Sequence, residues 1–348
     1  MFNKLYENIK DFMKNNWSYL LTFGIILAIF LIKIPYQVEM PGGIIDLNNR
    51  VTINGEEVED TEGSFNMAYV SVVQGSIPYS LLSFIIPDWD LVKSSDVKMD
   101  NETVEEANKR DKLYLDQSKN YAIVAALETA GIKYEIKNKV NYVAMVSEDS
   151  KSDFKVGDHI LEVDGKTLFD INELTDIISN TDVGDTLTFK VKRDKKEVEV
   201  NAEVYEDEDK HYIGIFVITN FDIDSELDVK ITNKSSESGP SGGLMMALMT
   251  YNAITGKDLT NGKKIVGTGT ISLDGTVGEI GGVKYKLMGA VKNKADVFLV
   301  PAGDNYEDAL KTKEEKGYDI EIVSVETLKD AIEYLEGAWW IITIKKLL

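Results

Sequence analysis

Asn233-Lys-Ser-Ser-Glu-Ser-Gly-Pro-Ser-Gly-Gly243 is a run of small, polar and glycine residues, and Leu244-Met-Met-Ala-Leu-Met-Thr-Tyr-Asn-Ala-Ile254 follows it directly. The second stretch predicts a largely apolar helix with Thr255-Gly256 as its stop. Ser241 then stands at a glycine-rich turn on a helix N-terminus, where backbone N–H groups point outward and the helix dipole favours negative charge. A turn of that kind polarises a carbonyl and holds an oxyanion beside a serine nucleophile. A serine in the same place also serves as a plain N-cap, and the turn alone does not separate the two readings. A phosphate loop is not supported, because the chain has no G-x-x-x-x-G-K-[ST] string.

Toward the C-terminus, Lys264-Ile-Val-Gly-Thr-Gly-Thr-Ile-Ser-Leu273 predicts a strand, Asp274-Gly275 and 278–282 predict turns, and a helix follows over 283–290. Lys286 lies on that helix among Leu287, Met288 and Ala290. Desolvation there lowers a lysine's pKa, and the neutral amine can serve a serine hydroxyl as general base. The alternative is a surface lysine snorkelling over apolar neighbours. Strands over 295–300 and 320–325 and helices over 306–313 and 327–335 complete this half. The last stretch, 338–348 with Trp339 and Trp340, is too short to cross a bilayer as a helix. It reads as an edge strand, an oligomer contact or a membrane-proximal patch.

Toward the N-terminus, strands are expected over 212–218 and 227–231, and a compact strand–turn–helix pattern fills 140–202. A helix is expected over 117–130, ended by Gly131. Residues 38–75 read as short strands separated by turns at Met40-Pro41-Gly42-Gly43 and at Asn54-Gly55, the latter a type I′ hairpin signal.

The 348 residues carry a formal charge of −21, which argues against a nucleic-acid partner. There is no cysteine, so disulfides, thiolate metal sites and a cysteine nucleophile are excluded. With only His159 and His211 present, a three-histidine zinc site is impossible. His159 reads as a structural strand or turn residue. Residues 15–32 hold no charge, and Tyr19-Leu-Leu-Thr-Phe-Gly-Ile-Ile-Leu-Ala-Ile-Phe-Leu-Ile32 is strongly apolar. Eighteen residues of helix span about 27 Å, close to the hydrocarbon core of a bilayer. Lys4, Lys10 and Lys14 precede the stretch. The expectation is a single-pass cell-membrane protein whose lipid contact is 15–34, with 1–14 cytoplasmic and everything after the helix extracellular.

Two resemblances bear on function. Val156-Gly157-Asp158-His159-Ile160-Leu161-Glu162-Val163-Asp164-Gly165 resembles the signature of bacterial protease-associated PDZ domains, over about 117–203. Its peptide-binding loop would lie around 138–141, before Tyr142, and would take an extended peptide as an added strand. Gly239-Pro240-Ser241-Gly242-Gly243 resembles the nucleophile motif of Lon proteolytic domains, with Gly242 in place of the usual alanine. Gly267-Thr268-Gly269-Thr270-Ile271, Gly281-Gly282 and Lys286-Leu287-Met288-Gly289-Ala290 resemble the lysine-bearing half in the same order. This implies Ser241 as nucleophile, Lys286 (rather than Lys284) as base, Thr268 as the hydroxyl orienting the lysine, and Gly239 in the oxyanion region.

The whole chain resembles membrane-anchored Lon-like serine proteases with an internal PDZ domain, of the Gram-positive pheromone-processing or quality-control type. That implies an α+β fold: a transmembrane helix at 15–34, a Lon-type proteolytic domain split into 35–116 and 204–348, and an inserted PDZ domain at 117–203. It implies an ATP-independent endopeptidase acting through a Ser-Lys dyad on extracytoplasmic peptides or unfolded proteins, with no cofactor and no metal, and allows a homo-oligomer. The non-enzymatic alternative is a tethered PDZ scaffold that binds peptides. A penicillin-binding-type enzyme is disfavoured, since the two S-x-x-K strings, at Ser95 and Ser152, open no apolar helix and no Lys-Thr-Gly accompanies them.

Overall fold

The computed structural model describes residues 2–58, 61–94 and 102–347, and their side chains from 5 to 337. The chain divides into two compact units, Met1–Pro41 with Val70–Lys98, and Gly42–Tyr69 with Met99–Leu348. The long strands Lys33–Asp46 and Ser64–Ser76 run through both.

The first unit holds two N-terminal helices, Phe2–Asn15 and Trp17–Leu31, the short helix Ile77–Ser83, and the strand Asp90–Lys93. It corrects the transmembrane expectation for 15–34 and with it the single-pass, outside-facing placement. Among the described residues, no helix is long and apolar enough to cross a membrane. The apolar helix has 15 residues, about 22 Å against a hydrocarbon core of about 30 Å. It stops because Ile32 is already extended, with ψ of 112°, and a strand begins at Lys33. Pro35 lacks an amide donor and biases the residue before it away from helix.

The second unit is built on a sheet with the order Glu321–Val325, Val297–Pro301, Lys264–Gly267, then 64–69 and 42–46. The first three strands pair in parallel with one another, and Lys264–Gly267 is also parallel to Ser64–Met67. Strands alternate with helices from residue 243 to 335, so this half is a layered mixture of helices and a largely parallel sheet. One face of the sheet presents Phe65, Met67, Ile265, Val297 and Leu299 to the helices Gly243–Thr255 and Val104–Thr129. The other presents Ala68, Val266, Phe298 and Val300 to the helix Val283–Lys292. Being buried on both faces explains the near-continuous apolar strands. Burial on every side explains why 244–249 are apolar all round.

Three local outcomes are physically instructive. Asn54 and Gly55 both have positive φ, as the hairpin signal requires, and join the short strands Val51–Ile53 and Glu56–Glu57. Met40-Pro41-Gly42-Gly43 is no turn but lies within a strand. A Cβ on Gly42 would collide with the Tyr69 carbonyl, and one on Gly289 would lie 3.2 Å from the Gly43 backbone, so the glycines serve close approach. The helix expected over 117–130 begins at Val104, where Thr103 and Glu106 form a capping box. Its Leu115, Ala122, Ala125 and Ala126 join the core around the helix Gly243–Thr255.

A second sheet has the order Lys196–Glu203, Thr186–Arg193, His159–Val163, Tyr134–Val146, Ile215–Ser225, with the helix Ile171–Ser179 against it. Its core runs from Val143 to Ile213 around Phe154, Ile160, Phe189 and Val200. Asp158 is fully buried, and the Arg193 guanidinium meets its carboxylate at 2.7 and 2.6 Å. Residues 338–347 continue the last helix, Leu328–Leu347, as backbone, so the edge-strand reading is corrected. The Trp339 and Trp340 side chains lie outside the described ones.

Candidate active site

The helix Gly243–Thr255 ends at Gly256 in the left-handed conformation, with φ of 64°. Ser241 precedes it by two residues and is half-buried. Both peptides flanking Ser241 are held. Its own carbonyl accepts hydrogen bonds from the Gly269 amide at 2.8 Å and from the Thr268 hydroxyl at 3.1 Å. The Pro240 carbonyl accepts from the Gly243 amide at 3.1 Å and from the Ser118 hydroxyl at 3.1 Å.

Lys286 approaches from the helix on the opposite face of the sheet. It is 4% exposed, and its amine donates to the Thr268 hydroxyl at 3.1 Å. Thr268 is itself fully buried, immediately after the strand Lys264–Gly267. The amine and the Ser241 peptide are therefore two hydrogen bonds apart, with Thr268 between them. Desolvation by burial pushes the Lys286 pKa down to about 8. Lys284, two residues away, instead places its amine 5.0 Å from the Tyr285 ring centroid.

Gly239 has φ of 85°, and its amide donates to the Asp111 carbonyl at 2.8 Å. That donor is engaged by the helix Val104–Thr129 in this structure. The loop before Ser241 is clamped further by Arg50, whose guanidinium meets the Glu237 carboxylate at 3.0 and 3.3 Å. Sequence reading missed Ser118, Asp111 and Arg50. Arg50 and Glu237 lie 187 residues apart, and nothing local links them. Ser118 left one trace: it falls on the same helical stripe as Leu115, Ala122 and Ala125.

The loop expected to take a peptide, 138–141, lies inside a strand. Residues 138–141 belong to the strand Tyr134–Val146, which has a neighbour on each side. Asn141 and Tyr142 pair with Ile160 and His159 on one edge and with Thr219 and Ile218 on the other, so an added strand finds no free ladder at these two residues. Ile215–Ser225 is one of the two outer strands of this sheet, and a cavity of about 260 Å³ lies between its start and the helix Ile171–Ser179. Ile171, Leu174, Ile178, Ile215 and Phe216 line it. His159 is half-buried with its ring 5.4 Å from that of Tyr142, and burial, then Lys192, pushes its pKa down. Ser152 sits in a bridge with Ala202 rather than at a helix start, and the string at Ser95 lies outside the described residues.

Comparison with known proteins agrees with this division. Residues 130–204 match the family model described as PDZ domain, and 219–336 match the Lon protease (S16) C-terminal proteolytic domain. The chain is similar to Lon protease 1 of Sorangium cellulosum, 38% identical over 98 residues, covering 28% of this chain and 12% of that protein. Lon protease of Neorickettsia sennetsu is 31% identical over 100 residues, covering 29% of this chain and 12% of that one. The chain thus spans about an eighth of the length of these relatives. Among solved structures, the PDZ domain of an SdrC-like protein from Listeria monocytogenes is 25% identical, covering 24% of this chain and 93% of that one, with a TM-score of 0.22. Residues 130–204 are thus similar to PDZ domains and 219–336 to the proteolytic domain of Lon proteases. The matches support the serine endopeptidase class for the latter.

Proposed function

We propose that this chain hydrolyses peptide bonds with Ser241 as nucleophile and Lys286 as general base and acid. The observation that carries this reading is a buried amine of lowered pKa joined through one buried hydroxyl to the peptide of a half-exposed serine at a helix mouth. Neutral Lys286, oriented by Thr268, takes the Ser241 proton as Oγ attacks the substrate carbonyl carbon. The tetrahedral oxyanion is held by the Ser241 amide, joined by Gly239 once its N–H leaves Asp111. The C–N bond then breaks, Lys286 returns the proton to the leaving amine, and water repeats the sequence on the acyl-enzyme.

The PDZ module, about 130–217, receives an extended peptide along the edge at 215–217, against the helix Ile171–Ser179. The apolar lining favours peptides with aliphatic or aromatic residues. The proteolytic domain takes the rest of the second unit, including the helix Val104–Thr129, whose inward residues lie in its core. Substrates are short or unfolded polypeptides, because an extended segment must reach Ser241.

The test is cleavage of a quenched fluorescent, unstructured peptide set. Ser241→Ala and Lys286→Ala each lose at least about 1,000-fold in rate, with unchanged far-UV circular dichroism. An active Ser241→Ala protein overturns the assignment. Peptide binding with no cleavage by the wild-type chain favours the scaffold reading instead.

A further inference from the structure

Ser118 is a buried polar residue on a helix whose neighbouring inward residues, Leu115, Ala122 and Ala125, are apolar. A hydroxyl in that setting is costly unless it is bonded. Its partner is not the preceding turn of its own helix, the usual recourse of a helical serine. It donates instead to the Pro240 carbonyl, 122 residues away in sequence, at 3.1 Å.

That carbonyl belongs to the peptide whose N–H is the Ser241 amide. In a trans peptide the C=O and N–H point in opposite directions, so holding one aims the other. The Gly243 amide also donates to the Pro240 oxygen, but it belongs to the same turn and moves with it. Ser118 ties the peptide to a separate, long helix. The next peptide is held in the same manner from the other side, by Thr268 and Gly269. A Cβ on Gly243 would lie 2.8 Å from the Ser118 oxygen, so glycine at 243 keeps room for the hydroxyl.

We infer that Ser118 is a positioning residue that aims the Ser241 amide at the developing oxyanion by holding the Pro240 carbonyl. It touches neither substrate nor reacting atoms, and the inference rests on the reading of Ser241 as nucleophile. Removing an oxyanion donor outright costs about 100–1,000-fold in kcat. Leaving the donor present but loosely aimed costs less, on the order of 10–100-fold.

The experiment compares wild type, Ser118→Ala, Ser118→Thr and Ser241→Ala on one fluorogenic peptide and with a peptidyl boronic acid, which forms a tetrahedral adduct on a serine nucleophile. Ser118→Ala is expected to lose about 10–100-fold in kcat with KM within about twofold. Its affinity for the boronic acid falls in parallel, its melting temperature stays near wild type, and Ser118→Thr recovers part of kcat by restoring the hydroxyl. A kcat within twofold of wild type in Ser118→Ala overturns the inference. So does a loss of kcat with boronate affinity unchanged, which marks a structural role. Full activity in Ser241→Ala overturns the nucleophile assignment itself, whatever Ser118→Ala does.

Discussion

Replacing Lys286 with methionine tests the electrostatics of the site through stability alone. Burial lowers the Lys286 pKa from the ordinary 10.5 to about 8. Each tenfold change in proton affinity is worth about 1.4 kcal/mol, so keeping the ammonium buried at pH 7 costs the fold about 3 kcal/mol. Methionine removes that cost but forfeits the hydrogen bond to Thr268, about 1 kcal/mol. Lys286→Met is therefore expected to be more stable than wild type at pH 7 by about 2 kcal/mol, and inactive. The sign of the pH dependence follows from linkage. Between pH 8 and 10.5 the unfolded lysine holds its proton while the folded one has lost it, so wild-type stability rises with pH across that window. The difference between the two proteins should shrink to nearly nothing by about pH 10. Urea unfolding of both at pH 7, 8, 9 and 10 provides the measurement. A variant several kcal/mol less stable at pH 7, or a difference that ignores pH, refutes the burial argument.

The remaining expectations concern catalysis, the groove and the frame. The wild-type kcat/KM should rise with pH around an apparent pKa near 8, as the Lys286 amine becomes neutral, read from a pH–rate profile on the fluorogenic peptide. Phe216 is 51% exposed at the groove; Phe216→Ala should weaken an apolar peptide's binding about tenfold by calorimetry, with little change in melting temperature. Asp158→Ala leaves Arg193 without its buried carboxylate and should cost about 3–5 kcal/mol in the PDZ module, seen as a lowered melting temperature. Gly42→Val forces a side chain into the Tyr69 carbonyl and should abolish soluble expression, whereas Gly55→Asn, in an open hairpin turn, should not.

What was legible in the sequence was local. The helix over 244–254, its glycine stop, the Asn54-Gly55 hairpin and the strand–helix alternation after residue 295 all follow from period, caps and turn residues. They depend on neighbours a few positions apart, which a sequence displays directly. The transmembrane reading failed for a related reason. The uncharged run counts 18 residues, but the helix ends near Pro35 before using them all, and composition does not mark that limit. Met40-Pro41-Gly42-Gly43 misled in the opposite direction. Glycine there answers to the Tyr69 backbone, which is distant in sequence, rather than to a turn.

The residue types at Ser241, Thr268 and Lys286, and their order along the chain, come from the sequence by itself. Their meeting does not. Ser241 heads a helix on one face of the central sheet and Lys286 rides a helix on the other. They approach one another only because the strand between them ends at Gly267, just before Thr268, whose hydroxyl reaches Lys286 and the Ser241 carbonyl. The clamps by Ser118 and Arg50 and the apolar cavity between 215–217 and the helix Ile171–Ser179 are likewise tertiary decisions. A hydrogen bond spanning more than a hundred residues leaves no periodicity behind. Which strand of a sheet lies at its edge is set by the pairing of all the others.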